Sequence, residues 1–391
     1  MKGPGTMVGD CAAAVKQYCT RVLHRDLVRL RSGGAKNGSV LLSYLTFPFR
    51  AKPDDLSFFS HTNTWECLQM AKTWLQHGYD VDVIDWDNRR FLPKKDYSVF
   101  IDIHANMERV APLLSNDCRK ILHITGAHWR FQNAAEMKRL SELEKRRGIR
   151  LQPYRQVLPS NGIEHADCAT ILGNAFTRGT FAYAKKPLYT LPLSTTIEFP
   201  FIERDYAEAG RNFLWMGSSG MVHRGLDLVL EAFSGLPDCR LTVCGPVSRE
   251  PDFERSYFRE LYRTDNIRTV GFVDLRSDAF HKVIRNTSTL LYPSCSEGQA
   301  GSVITCLHAG LIPAISHESG VDVNDFGFIL RESSVREIKD TVRMVSQKPG
   351  DELRKMSENA WRYARENHTR KKFAECYEKF VFRITNGQDA A

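Results

Sequence analysis

The chain has 391 residues, enough for two ordinary domains of roughly 150 residues each with room for terminal extensions. Its 42% hydrophobic and 26% charged content is globular, and no run approaches the ~20 consecutive apolar residues that span a bilayer. The net charge of +8 favours anionic partners, yet the chain has no helix-turn-helix, zinc-finger or RNP-like pattern, which argues against nucleic acid.

The opening residues lack an uninterrupted apolar core of signal-peptide type, so the expected location is the cytoplasm, at most against the inner face of a membrane. Ten scattered cysteines, with no Cys-x-x-Cys pair and no histidine at metal-ligand spacing, predict reduced and mostly buried thiols and no zinc site.

Residues 1–37 form an expected N-terminal extension with helical periodicity from Ala12 to Arg31. Val15, Tyr18, Cys19, Val22 and Leu23 share one side, and Lys16, Arg21, Arg25, Arg29 and Arg31 lie largely elsewhere. Such a helix suits either an anionic membrane surface or packing on its own domain.

Residues 38–205 then alternate apolar strands with amphipathic helices, the pattern of a covered parallel sheet. Strands are predicted at Val40–Leu45, Val81–Asp85, Tyr97–Ile103, Lys120–Thr125, Ala169–Leu172 and Leu188–Leu191. Helices are predicted at Thr64–His77 and Asn133–Arg147, each stopped by a glycine. The poorly periodic stretch from Pro192 to Asn212 reads as a connection.

A second α/β unit is assigned to residues 206–365, with strands at Phe213–Met216, Leu241–Cys244, Ile267–Val270, Thr289–Tyr292, Ile312–Ile315 and Phe328–Leu330. Helices Glu352–Asn367 and Lys371–Ile384 close the chain, and residues 366–391 are expected to pack back toward the first domain.

Three segments carry chemistry. Leu291 to Ser302 is an apolar strand, a small-residue loop with one acid, Glu297, and a helix start, which aims a carboxylate and free N–H groups at a polar, anionic ligand. After Phe213–Met216, the small residues Gly217, Ser218 and Ser219 let backbone approach a phosphate, and Arg224 at the next helix start supplies a cation. In the first domain, the strand Leu122–Thr125 runs into Gly126 and His128, placing an imidazole at a carboxyl strand end that faces the ligand crevice; His104 is the second choice there.

In chain order from Phe213 to Leu330, the two second-domain segments together with Gly245-Pro246, Phe272-Val273, Ser319–Asp322 and Gly327–Leu330 resemble the donor domain of retaining GT-B glycosyltransferases of family 4. The resemblance implies an α/β protein of two Rossmann-like domains facing each other across a cleft. It implies a nucleotide diphosphate sugar as donor substrate and no separate cofactor.

On it, Glu297 meets the donor sugar, and Gly217, Ser218, Ser219 and Arg224 meet the diphosphate. Gly245, Pro246, Phe272 and Val273 bracket the base, Gly298, Gly301, Ser302 and Val303 form the helix start, and His128 contacts the transferred sugar. The family's second acid, eight positions after the first, is Thr305 here, and Ser218 stands where an arginine is usual. Arg224 replaces a lysine and keeps its role, since a guanidinium binds phosphate bidentately.

The implied acceptor is a carbohydrate or lipid-linked carbohydrate, by analogy in surface polysaccharide or glycolipid assembly. The family's glycine-rich turn after the first strand reads Thr46–Arg50 here, and Arg50, Lys52 and Arg130 are candidates for an anionic acceptor. No metal is expected, because Asp80-Val-Asp82 and Asp85-Trp-Asp87 flank a first-domain strand away from the diphosphate. Alternatives are a GT-B phosphorylase or epimerase and a non-catalytic nucleotide-sugar-binding protein. A nicotinamide oxidoreductase lacks its Gly-x-Gly-x-x-Gly turn.

Overall fold

A computed structural model describes residues 27–34, 36–51 and 61–387. Seven strands build the first sheet: β1 (Val28–Leu30), β2 (Gly38–Tyr44), β3 (Tyr79–Asp85), β4 (Val99–Asp102), β5 (Arg119–Ile124), β6 (Cys168–Leu172) and β7 (Leu188–Leu191). They lie in the order β1-β3-β2-β4-β5-β6-β7, parallel except that β1 runs antiparallel to β3. The second sheet is parallel throughout, with β8 (Asn212–Met216), β9 (Arg240–Cys244), β10 (Ile267–Gly271), β11 (Thr289–Tyr292), β12 (Ile312–Ser316) and β13 (Phe328–Leu330).

Helices of eight or more residues are α1 (Thr62–Gln76), α2 (Trp129–Arg147), α3 (Leu226–Phe233), α4 (Asp278–Arg285), α5 (Gly301–His308), α6 (Val335–Ser346), α7 (Gly350–Asn367) and α8 (Arg370–Thr385). The strands are readable because both faces are covered: β4 and β12 are buried at every position, so their sequences are nearly unbroken apolar runs. Helix α2 stops where Gly148 takes φ +68° and returns its N–H to Glu144 O at 2.7 Å.

The second sheet has the order β10-β9-β8-β11-β12-β13, which puts its topological switch between β8 and β11. Successive crossovers leave these two strands on opposite sides, so the loops after them splay apart and open a crevice at their carboxyl ends. Helix α8 lies against α1 of the first half, where the buried Trp74 Nε1 donates to Tyr377 Oη at 3.0 Å and Phe373 meets Trp65 edge-on. The connection before β8 is tied down by buried Arg204, whose Nε donates to Ile284 O at 2.9 Å.

Two expectations change. Residues 1–26 of the proposed basic helix lie outside the described residues, but its expected tail is strand β1, with Arg31 paired to Asp80 at 3.3 Å and Asp82 at 3.7 Å. Three residues of alternation, with Arg29 exposed between Val28 and Leu30, are too short to stand out from a helical pattern. Helix α2 also begins four residues earlier than Asn133.

Candidate active site

The carboxyl ends of both sheets face one cavity of about 770 Å³, within the roughly 300–1,000 Å³ usual for small-molecule sites. The first half contributes Tyr44, Ile103, Thr125, Leu172 and Leu193, at or just beyond the ends of β2, β4, β5, β6 and β7. The second contributes Gly217, Gly245, Phe272 and Glu297, beyond β8, β9, β10 and β11.

At the floor, Arg224 and Glu297 come from the two loops that flank the switch point. Arg224 Nε lies 3.4 Å from Glu297 Oε1, and its Nη1 donates to Ser218 Oγ at 2.5 Å. Glu297 Oε1 also accepts from Tyr292 Oη at 2.8 Å and from Ser294 Oγ at 3.3 Å. Burial pushes this carboxyl up, but Arg224, His223, Arg155 and the Tyr292 hydroxyl outweigh it, and the pKa falls below the usual glutamate value. Glu297 is therefore an anion at neutral pH.

The loop after β8 is held from outside the cavity. Buried Glu250 accepts the N–H groups of Gly220 and of Met221, the latter at 3.0 Å, and Trp215 Nε1 donates to Arg224 O at 3.2 Å. Gly217 is required by packing, since a Cβ there would lie 2.6 Å from the Trp215 ring and 3.3 Å from Arg224 Cδ. Buried His223 donates from Nε2 to Ser296 O at 2.7 Å, linking this loop to the one bearing Glu297; burial lowers its pKa against the opposing pull of the Glu297 carboxylate.

Of the residues singled out in the sequence, Gly217, Ser218, Arg224, Gly245, Phe272, Val273, Glu297, Gly298, Gly301, Ser302 and Thr305 line the cavity. Three do not. Val303 turns into the hydrophobic core, Pro246 is buried at the start of the turn Val247–Arg249, and half-buried Ser219 does not reach the lining.

His128 is also displaced. Because α2 starts at Trp129, His128 is its N-cap: Nδ1 accepts from Arg130 N at 3.3 Å, and the buried ring sits against Phe181 and Tyr183, with Nε2 3.2 Å from Tyr183 Oη. It does not line the cavity. His104 packs its ring on Trp86, and His123 is buried in the sheet with Nδ1 2.8 Å from Thr170 Oγ1. Neither Arg50 nor Arg130 lines the cavity, Arg130 lying over the Trp129 ring, and Lys52 falls outside the described residues.

Among the charged and imidazole side chains that the first half gives the cavity, His61, Glu66 and Arg155 had no expected role. His61 is the N-cap of α1, with Nδ1 accepting from Asn63 N at 3.3 Å. Desolvation in the cleft and the facing charges of Arg224 and Arg155 lower its pKa, so it presents a neutral ring. Glu66 shares the buried face of α1 with Cys67, Met70 and Trp74; Oε1 accepts from Ser194 N at 2.8 Å, and Oε2 has no partner. An acid within an apolar helical stripe was the available signal for Glu66. His61 and Arg155 carried none.

Asp80 and Asp82 pair with Arg31, and Asp85 accepts from Thr46 N at 2.8 Å and Thr46 Oγ1 at 2.6 Å. Among the described residues, no group of three or more His, Cys, Asp or Glu is placed to hold a metal ion, and no helix is long and apolar enough to cross a membrane.

No protein-family model matches the sequence, and a search of curated proteins finds no match. Solved structures match the fold. Sucrose-phosphate synthase from Thermosynechococcus elongatus aligns with TM-score 0.59 and 12% identity over 89% of this chain and 99% of that one. Anabaena HepE, in complex with UDP-glucose, aligns with TM-score 0.53 and 10% identity over 90% and 100%. TarM aligns with TM-score 0.51 and 12% identity over 74% of this chain, and the match spans 54% of TarM's length. The fold is GT-B, two Rossmann-like domains facing each other across a cleft.

Proposed function

We propose that this protein is a retaining glycosyltransferase that moves a sugar from a nucleotide diphosphate sugar to a carbohydrate or lipid-linked carbohydrate acceptor. The observation that carries the reading is the Arg224–Glu297 pair at the switch point of the second sheet, facing the cavity. Arg224 and the N–H groups at the start of α5 hold the diphosphate, and the Glu297 carboxylate accepts from donor sugar hydroxyls. Catalysis then consists of stabilising charge on the leaving diphosphate and holding the attacking hydroxyl in line, with no metal required.

Tyr44, His61 and Glu66 form the opposing wall, where the acceptor enters. The basic net charge suits a role at an anionic membrane face in surface polysaccharide or glycolipid assembly. Thr305, standing where a second acid would grip the ribose, favours as second reading a protein that binds the donor without turning it over.

A thermal-shift panel of UDP-, GDP-, ADP- and TDP-sugars tests the first step, since a ligand at 100 times its Kd stabilises by about 2.7 kcal/mol. Transfer assays with the selected donor follow, with Arg224→Ala and Glu297→Ala as controls. Binding without turnover supports the second reading, conversion without acceptor supports an epimerase, and dependence on free phosphate a phosphorylase. Loss with chelator and recovery with manganese would remove the metal-independent mechanism.

A further inference from the structure

We infer that Arg155, carried by a first-half segment that docks on the second half through Gln152 N and Tyr154 Oη to Asp252, is a diphosphate ligand that completes the anion site of the second half. The inference rests on the nucleotide-sugar reading and adds a residue to it.

Arg155 follows α2, and its backbone is fixed by that helix: its N–H donates to Glu136 Oε1 at 2.8 Å, and its carbonyl accepts from Gln132 Nε2 at 2.6 Å. Its side chain leaves this anchor and crosses to the loop after β8. There the stem lies over Gly220, where a Cβ would stand 2.4 Å from Arg155 Cγ. Gly220 also has φ +90°, so two separate constraints keep that path free of a side chain.

The guanidinium arrives at the cavity half-buried, with Nε shielded from water and without a hydrogen-bond partner. Its charge acts on Glu297, Tyr292, His223 and His61, which surround the floor of the site. A buried donor without a partner is costly to maintain, and a ligand oxygen supplies what is missing.

Charge balance points the same way. Arg224 is already opposed by Glu297 at 3.4 Å, so the pair is close to neutral. A diphosphate brings about two or more negative charges into this cleft, each phosphate being ionised at neutral pH. Ser218 Oγ supplies only a hydroxyl to Arg224. Arg155 is a planar, permanently charged donor set suited to phosphate oxygens, and it approaches from the opposite lobe.

Titration calorimetry on the full chain tests this with UDP, GDP, ADP and TDP, followed by the monophosphate and nucleoside of the tightest base. Arg155→Gln is expected to weaken the diphosphate about ten- to a hundredfold, the effect of losing a charge-assisted contact, and to leave the nucleoside unchanged. Arg155→Met, which keeps the stem over Gly220, gives the same selective loss, and its melting temperature without nucleotide controls for folding. Diphosphate affinity within twofold of the parent in both variants overturns the inference and leaves the donor reading intact. A parent protein that binds none of the four diphosphates removes that reading, and this inference with it.

Discussion

Arg224 Nε and Glu297 Oε1 stand 3.4 Å apart with side chains only 9% and 12% exposed, yet the contact lacks hydrogen-bond geometry. The carboxylate cancels the guanidinium field where a diphosphate would bind, while Tyr292 and Ser294 occupy the same Oε1. The two residues thus oppose each other in binding a nucleotide and cooperate in presenting a sugar.

Glu297→Gln separates these effects. Removing a charge within about 4 Å of an anion is worth about 1 kcal/mol in water and more in a partly dry cleft. Affinity for the free nucleoside diphosphate is therefore expected to rise severalfold. Turnover falls about a hundredfold, as for loss of one preorganised polar group. Calorimetry beside steady-state transfer checks both, and a parallel fall in both quantities contradicts the opposition.

His61 and His128 make a second contrast. His61 faces Arg155 and Arg224 across the cavity, whereas His128 caps α2 among aromatic rings. His61→Ala is predicted to lower turnover at least tenfold, in the range of general acid–base or positioning contributions, while losing a cap of α1 costs about 1 kcal/mol of stability. His128→Ala removes a cap and buried packing, costing about 1–2 kcal/mol of stability with turnover within severalfold of the parent. Melting curves and transfer rates on both variants decide, and the reverse pattern would restore His128 as the sugar contact.

The sequence made the framework legible because covered parallel strands must be apolar along their whole length, as in β4 and β12. The donor side was legible because its ligands sit in short loops next to such strands: Gly217 and Ser218 directly follow β8, and Glu297 lies five residues after Tyr292, which ends β11. His128 was misplaced by a helix start judged four residues late, which turned a cap into a strand-end loop. The opposing wall resisted reading for another reason: His61, Glu66 and Arg155 lie on unrelated segments, and only the fold brings them together. Strand β1 was too short to register against a helical background.

The glycines of the Glu297 loop differ sharply. A Cβ on Gly298 would lie 2.3 Å from Thr125 O and 2.9 Å from Leu172 O, both backbone atoms at strand ends of the other half. Nothing soft can yield there. Gly298→Ala is predicted to push the halves apart, lowering stability by about 1–3 kcal/mol, the usual cost of overpacking, and weakening nucleotide binding. Gly301→Ala meets only Leu193 Cδ2 at 3.9 Å and gains helix propensity, so its melting temperature should hold or rise slightly. Equal losses in both would show that steric contact with the first half is not what fixes Gly298.

Glu66 predicts a pH dependence with a definite sign. Burial raises its carboxyl from the usual 4.5 to about 7, and the Ser194 N–H at 2.8 Å only partly offsets this. Between about pH 4.5 and 7, the unfolded chain has released this proton while the folded one still holds it. Rising pH through that window therefore costs stability, and above pH 7 the penalty is constant. Its full size is about 3 kcal/mol, because each tenfold change in proton affinity between the folded and unfolded chain is worth about 1.4 kcal/mol. Asp102 and Asp227, each raised to about 6 by burial, add slopes of the same sign, so only a difference isolates Glu66. Glu66→Gln keeps an oxygen for the Ser194 N–H and removes the ionisation. The unfolding free energy of the variant relative to the parent is expected to rise by about 2 kcal/mol or more between pH 5 and pH 8, measured by denaturant titration. A constant difference across that range would mean that Glu66 is already ionised at pH 5 in the folded protein.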